Sequence, residues 1–162
     1  MTDRVDDLMA KWQTELPEAL VASTEFGKRV MVLATALDEA TRATVTEFGL
    51  TGADFGVLAA LRRNGKPYRL KANELSSSLL LSSGGTSNVV NRLVTRGLVE
   101  READHADGRS TYVRLTPSGV SLAEDVTLAN TKSHEKVLAA IPADLLERAT
   151  LAMRDVFGYL DQ

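Results

Sequence analysis

Ser82-Ser83-Gly84-Gly85-Thr86-Ser87-Asn88-Val89-Val90-Asn91-Arg92-Leu93-Val94-Thr95-Arg96 is the stretch whose reading decides the fold. Its leading serines and glycines have the chemistry of a helix start. Val90, Leu93 and Val94 then recur at i, i+3 and i+4, which predicts one apolar helix face. Ser87, Asn88, Asn91 and Arg92 fall on other faces, and the stretch contains no carboxylate. A short, hydrogen-bonding face of this kind can lie in a nucleic-acid groove without repelling phosphate. The stretch therefore predicts the recognition helix of a DNA-binding module.

The flanks supply the rest of that module. Lys71 to Leu80 reads as a short helix with Leu75 and Leu79 inward, and Leu81-Ser82 as a tight turn. Two short helices joined this way form a helix-turn-helix. Gly97 stops the second helix. Leu98 to Glu102 and Ser110 to Leu115 read as two strands, joined by the turn-rich loop Ala103 to Arg109 with Asp107-Gly108 as its turn signal. A hairpin directly after a helix-turn-helix makes a winged helix. Arg109 at the loop tip is suited to a minor groove, where negative potential is focused. Tyr68-Arg69-Leu70 reads as a short extended segment.

Farther out, the pattern is helical from about Phe26 to Phe48, with Gly49 as a stop. Thr51 with Asp54 reads as a capping pair for a helix whose apolar face is Phe55, Leu58 and Leu61. Thr116-Pro117-Ser118-Gly119 starts a long helix, with proline at its first position. Pro142 breaks it, and a last helix runs from about Ala143 to Leu160. The expected fold is mainly α with a small β-hairpin wing (α+β). It divides into N-terminal dimerisation helices (1–48), a winged helix-turn-helix (49–116) and C-terminal dimerisation helices (117–162). The terminal helices carry more apolar face than a small winged helix can cover, which predicts pairing with a second copy of the chain.

Composition narrows the chemistry. At 162 residues the chain is one domain, with or without helical extensions, and it is long enough to bury a core. It has no cysteine, which excludes disulfides, thiol redox sensing and thiolate metal sites. His105 and His134 are its only histidines, too few for a histidine-rich metal centre. No cofactor is predicted. There is no apolar run of about 18 residues and the start is acidic, so a cytoplasmic protein without a membrane span or secretory signal is expected. The net charge of −3 conceals a division. Arg62 to Arg114 holds ten Lys/Arg against five Asp/Glu, and the rest holds nine against seventeen. A basic middle between acidic ends suits a DNA-reading module on a separate scaffold.

These residues carry a family likeness. The chain resembles the MarR (multiple antibiotic resistance regulator) family of bacterial transcription factors from about Gly27 to Leu160. The likeness is most specific in Ser82 to Asn88, Arg92-Leu93, Gly97-Leu98-Val99-Glu100-Arg101, Asp107-Gly108-Arg109-Ser110 and Leu115-Thr116-Pro117-Ser118-Gly119. The resemblance implies a symmetric dimer with intertwined terminal helices, whose two winged helices read a pseudo-palindrome of double-stranded DNA. Phe55 to Arg63 and Pro67 to Leu70 look like the branch containing urate-responsive repressors. That branch tends to have a tryptophan near the N-terminus, an arginine in the first long helix, an aspartate after the phenylalanine and an arginine in the recognition helix. Trp12 and Arg29 match, whereas Gly56 and Val89 occupy the last two positions. The departures predict an effector other than urate, or none.

Candidate phosphate contacts are Arg62, Arg69, Lys71 and Arg96. Ser87, Asn88, Asn91 and Arg92 are candidate base readers, asparagine suiting adenine and arginine guanine. Asn91 and Arg92 have a structural alternative, Arg92 bridging to a wing carboxylate such as Asp107. Ser83 reads equally as a helix cap or a phosphate ligand. Trp12, Arg29 and Phe55 are candidates for an effector pocket for a phenolic, purine or antibiotic-like molecule, with plain packing the alternative. His134 reads as a dimer-interface residue and His105 as solvated. A regulator, usually a repressor, released by a small molecule is the leading function. A winged-helix adaptor for protein contact is the alternative. No nucleophile elbow, phosphate-binding glycine loop or His-Glu metal spacing points to an enzyme.

Overall fold

The computed structural model describes residues 2–79, 83–103 and 111–160. Along these the order is α1 (Arg4–Glu15), α2 (Ala22–Glu47), α3 (Gly52–Arg63), β1 (Arg69–Lys71), α4 (Ala72–Leu79), α5 (Ser83–Thr95), β2 (Val99–Ala103), β3 (Thr111–Leu115), α6 (Pro117–Leu138) and α7 (Ala143–Leu160). Among the described residues no helix is long and apolar enough to cross a membrane.

The core forms around α3. Val57, Leu58 and Leu61 are closed to solvent, and Leu75 of α4, Val90 and Leu93 of α5, Val113 of β3 and Val126 of α6 close on them. Capping chemistry sets where α3 begins. The Asp54 N–H donates to Thr51 Oγ1 at 3.1 Å, and the Thr51 N–H donates back to Asp54 Oδ2 at 2.9 Å. This is the reciprocal cap that the Thr51/Asp54 spacing predicts.

Gly97 ends α5 with φ +69, a left-handed conformation that glycine adopts without a Cβ penalty. The Gly97 N–H donates to Val94 O at 2.9 Å and the Leu98 N–H to Leu93 O at 3.0 Å, which turns the chain into β2.

Three points differ from the sequence expectations. The sheet has three antiparallel strands in the order β1-β3-β2, because the Tyr68 to Leu70 segment joins the hairpin and Leu70 pairs with Val113. Helix α2 starts at Ala22, four residues before Phe26; Thr24 Oγ1 accepts the Val21 N–H at 3.4 Å and donates to Ala19 O at 2.8 Å. In α5, Val94 is 39% exposed, and Val89 joins Val90 and Leu93 in the core. The inward stripe is Thr86, Val89, Val90 and Leu93, so the face is rotated toward Thr86 from the one that Val94 would define.

The arms pack through α2 and α6. His134 Nε2 of α6 lies 2.7 Å from Thr41 Oγ1 and 3.1 Å from Leu37 O of α2, so this histidine bonds within its own protomer. Helix α7 has no buried residue, and Leu145, Leu151, Phe157 and Leu160 are exposed on it.

One contact joins wing to arm without slack. A Cβ on Gly119 would stand 1.9 Å from the Leu98 carbonyl oxygen, where α6 begins against the start of β2. Gly119→Ala must push α6 away, at a cost of about 1–3 kcal/mol. Urea denaturation should show a lower midpoint for this variant; an unchanged midpoint would contradict the close packing described here.

Candidate nucleic-acid interface

The outer side of α5 is built by subtraction. Once Thr86, Val89, Val90 and Leu93 are buried, Ser87, Asn88, Asn91 and Arg92 are left exposed. No acidic residue lies anywhere in α5. Ser87 stands with Ser76 and Asn73 of α4 and Arg101 of β2 around a cavity of about 200 Å³. Ser83 opens α5, and its side chain lies outside the described residues. Arg109, Asp107 and His105, on which the sequence reading placed the wing tip, also lie outside them.

The cationic candidates are not bare charges. Arg69 Nη1 is 2.5 Å from Glu102 Oε1, and its guanidinium lies 4.4 Å from the centre of the Tyr112 ring. Lys71 Nζ approaches the same ring at 5.6 Å. Arg62 binds Glu124 of α6 at 2.8 Å and stacks on Tyr68 at 4.9 Å. Partly exposed pairs of this sort contribute roughly 0–1 kcal/mol, so exchanging a carboxylate for a phosphate costs little. The stacked rings hold the guanidinium stems in place while the charged ends remain open to water.

Arg92 is held by a carboxylate, but by one from α3 rather than the wing. Its Nε and Nη2 reach Asp54 Oδ1 at 2.9 and 2.7 Å, and Asp54 is 2% exposed. Arg96 Nη1 donates to Gly49 O at 2.8 Å. Asn91 Oδ1 accepts from Arg101 Nη2 at 2.9 Å. Arg101, which the sequence reading passed over, thereby ties the wing to the recognition helix. Its signal was only its place in a short strand whose register could not be read. Arg63 and Lys66, equally passed over, are exposed at the end of α3 and in the following turn.

Burial pushes the Asp54 carboxyl up. Hydrogen bonds from Arg92 and from the Thr51 N–H and hydroxyl, with the Arg92 charge, outweigh that and hold it below its ordinary value of 3.8. A lowered folded-state pKa adds stability above 3.8 that is lost as pH falls through the lowered value.

The three effector candidates do not converge on one cavity. Arg29 binds Asp3 at 3.1 Å, Asp6 at 2.5 Å and Glu25 at 2.7 Å, fastening α1 to α2. It also edges a cleft of about 660 Å³ walled by Val32, Leu138, Ile141 and Leu146, which neither Trp12 nor Phe55 lines. Trp12 is 39% exposed on α1, and Phe55 packs half-buried against the core.

A sequence model of the MarR family matches residues 48–110, from the α2–α3 connection to the wing. The chain is 24% identical over 135 residues to the HTH-type transcriptional regulator PecS of Dickeya dadantii (strain 3937), covering 83% of this chain and 81% of that one. Its fold matches a mutant MarR from E. coli complexed with operator DNA, with a TM-score of 0.70 at 22% identity, over 90% of this chain and 96% of that one. It also matches Bordetella bronchiseptica BpsR, whose DNA binding is regulated by 6-hydroxynicotinic acid, with a TM-score of 0.69 at 22% identity, over 82% of this chain and 98% of that one.

Asp54→Asn should lower stability at neutral pH, and the gap to the wild type should narrow as pH falls below 3.8. Denaturation midpoints taken across that range check this; a gap that widens in acid would contradict the assigned ion pair. Winged-helix architecture, the polar face of α5 and the match across residues 48–110 agree: the chain belongs to the MarR family of helix-turn-helix transcriptional regulators.

Proposed function

We propose that the chain acts as a homodimeric repressor in the cytoplasm, binding a pseudo-palindromic operator and leaving it when a small molecule binds. The observation that carries this reading is the exposed, carboxylate-free face of α5 beside a three-stranded wing. Ser87, Asn88 and Asn91 are assigned to base edges. Arg62, Arg69 and Lys71 are assigned to phosphates, Arg109 to the minor groove, and Ser83 to the phosphate next to the helix start. The reading assigns the chain binding rather than catalysis.

Dimerisation is supported by the uncovered apolar faces of the arms. Leu145, Leu151, Phe157 and Leu160 of α7 and Phe26, Met31 and Leu33 of α2 are all exposed in the single chain. Apolar surface on this scale calls for a partner. The segments 1–48 and 117–162 are accordingly assigned to the dimer, and 49–116 to DNA. An effector of phenolic, purine or antibiotic-like chemistry is supported by the ligand regulation described for BpsR. Such a molecule acts by binding better to a dimer whose recognition helices are wrongly spaced for DNA.

Fluorescence anisotropy with a duplex selected by the protein from a random-sequence pool tests this directly. Affinity should fall steeply with salt. Arg69→Ala should shallow the log–log slope by about 0.9, the loss of one phosphate contact. Asn88→Ala should instead cost about 1–3 kcal/mol on the selected duplex and little on unrelated DNA. Absence of DNA binding at low salt, with a salt-independent protein partner in its place, would overturn the reading in favour of an adaptor.

A further inference from the structure

Two arginines one helical turn apart on α5 grip the connector between α2 and α3. Arg92 holds its far end, at Thr51 and Asp54, and Arg96 holds its near end, at the Gly49 carbonyl. The connector is short and stiff. Gly49 turns it with φ +64, the Gly49 N–H donates to Thr46 O at 2.9 Å, and Leu50 plugs into the core at 5% exposure.

The Asp54 carboxylate has no spare capacity. Oδ2 accepts the Thr51 N–H at 2.9 Å and the Thr51 hydroxyl at 2.8 Å. Oδ1 accepts Arg92 Nε at 2.9 Å and Nη2 at 2.7 Å. Four bonds fill its four lone-pair directions. Thr51 Oγ1 also accepts the Asp54 N–H at 3.1 Å and Arg92 Nη2 at 3.3 Å. A network this complete has one geometry, and the planar guanidinium fixes the approach as well as the distance.

We infer that Asp54, Arg92 and Arg96 are positioning residues, a clasp that sets the angle of the recognition helix against the α2 arm and so determines which base pairs Ser87 and Asn88 can reach. The inference rests on the proposed DNA reading and assigns Arg92 and Arg96 to protein rather than to DNA. The clasp holds the C-terminal half of α5. Asn88 stands one turn before Arg92, about 6 Å along the axis at 1.5 Å per residue. Rotation at the clasp therefore moves the reading residues, while Arg69 and Lys71 on β1 stay with the sheet.

The test compares wild type, Asp54→Asn, Arg92→Gln, Arg92→Lys and the Asp54→Asn/Arg92→Gln double variant. The probes are a duplex selected by the wild type from a random pool, its single base-pair substitutions, and an unrelated duplex of equal length. Asp54→Asn, which removes a buried group that cannot touch DNA, should cut the selected-to-unrelated affinity ratio about tenfold. Arg92→Gln should do the same over several base-pair positions, with the salt slope unchanged. Arg92→Lys keeps the charge without the two-pronged donor and should recover part of the ratio. The double variant should be little worse than either single one. Arg92→Gln and Arg92→Lys leave the α3 cap intact, so they decide the matter even if Asp54→Asn unfolds.

Loss of discrimination at one base pair alone after Arg92→Gln would make Arg92 a base reader. A slope shallower by about 0.9 would make it a phosphate ligand. Either result overturns the clasp, as does a folded Asp54→Asn variant with the wild-type ratio. If the wild type selects no duplex, the DNA reading itself fails, a result distinct from these.

Discussion

Val57, Leu58 and Leu61 on one face of α3 have no contact with solvent, and most of the molecule is arranged to keep them so. Helices α2, α4, α5 and α6 and strands β1 and β3 all pack on this helix. Burying each such side chain contributes roughly 1.5–3 kcal/mol. A substitution here would therefore loosen the recognition helix, the wing and the arms together. The polar face of α5 can be presented outward because its other face is committed inward at Thr86, Val89, Val90 and Leu93.

Electrostatics then works at two depths. At the surface, Arg62 and Arg69 stack on tyrosines and pair with glutamates that water already screens. Phosphate can replace those glutamates at little cost. Deeper in, Arg92 is bound to a carboxylate that is almost wholly buried. Removing one partner there strands a charge in a low-dielectric site, at a cost of several kcal/mol. Residues with the same side chain therefore differ in what they can do. A local excess of arginine marks a DNA-facing region without saying which arginines face DNA.

Much of the fold was legible because its signals are local. The Thr51/Asp54 spacing, Gly97 after α5 and Pro117 at the first position of α6 each act within a few residues, and each marks an element boundary. What escaped depends on distant partners. Strand β1 is only three residues long and is recognisable through its pairing with β3, as in Leu70 opposite Val113. The partner of Arg92 lies 38 positions away. Val89 and Val94 are the same residue type at adjoining edges of one stripe, and the position of the partner helix decides which is buried. Trp12, Arg29 and Phe55 were linked by family likeness rather than by spacing. The structure sets Arg29 among carboxylates instead of beside the other two.

The central claim is that two copies of α5 enter DNA at once, held apart by the helical arms. Hydroxyl-radical footprinting of the wild-type protein on a duplex selected from a random pool tests it most directly. The account predicts two equivalent protected segments related by a dyad, with centres one helical turn apart, about 34–36 Å, or a small multiple of that. A single protected segment, or uniform protection without a dyad, would contradict it.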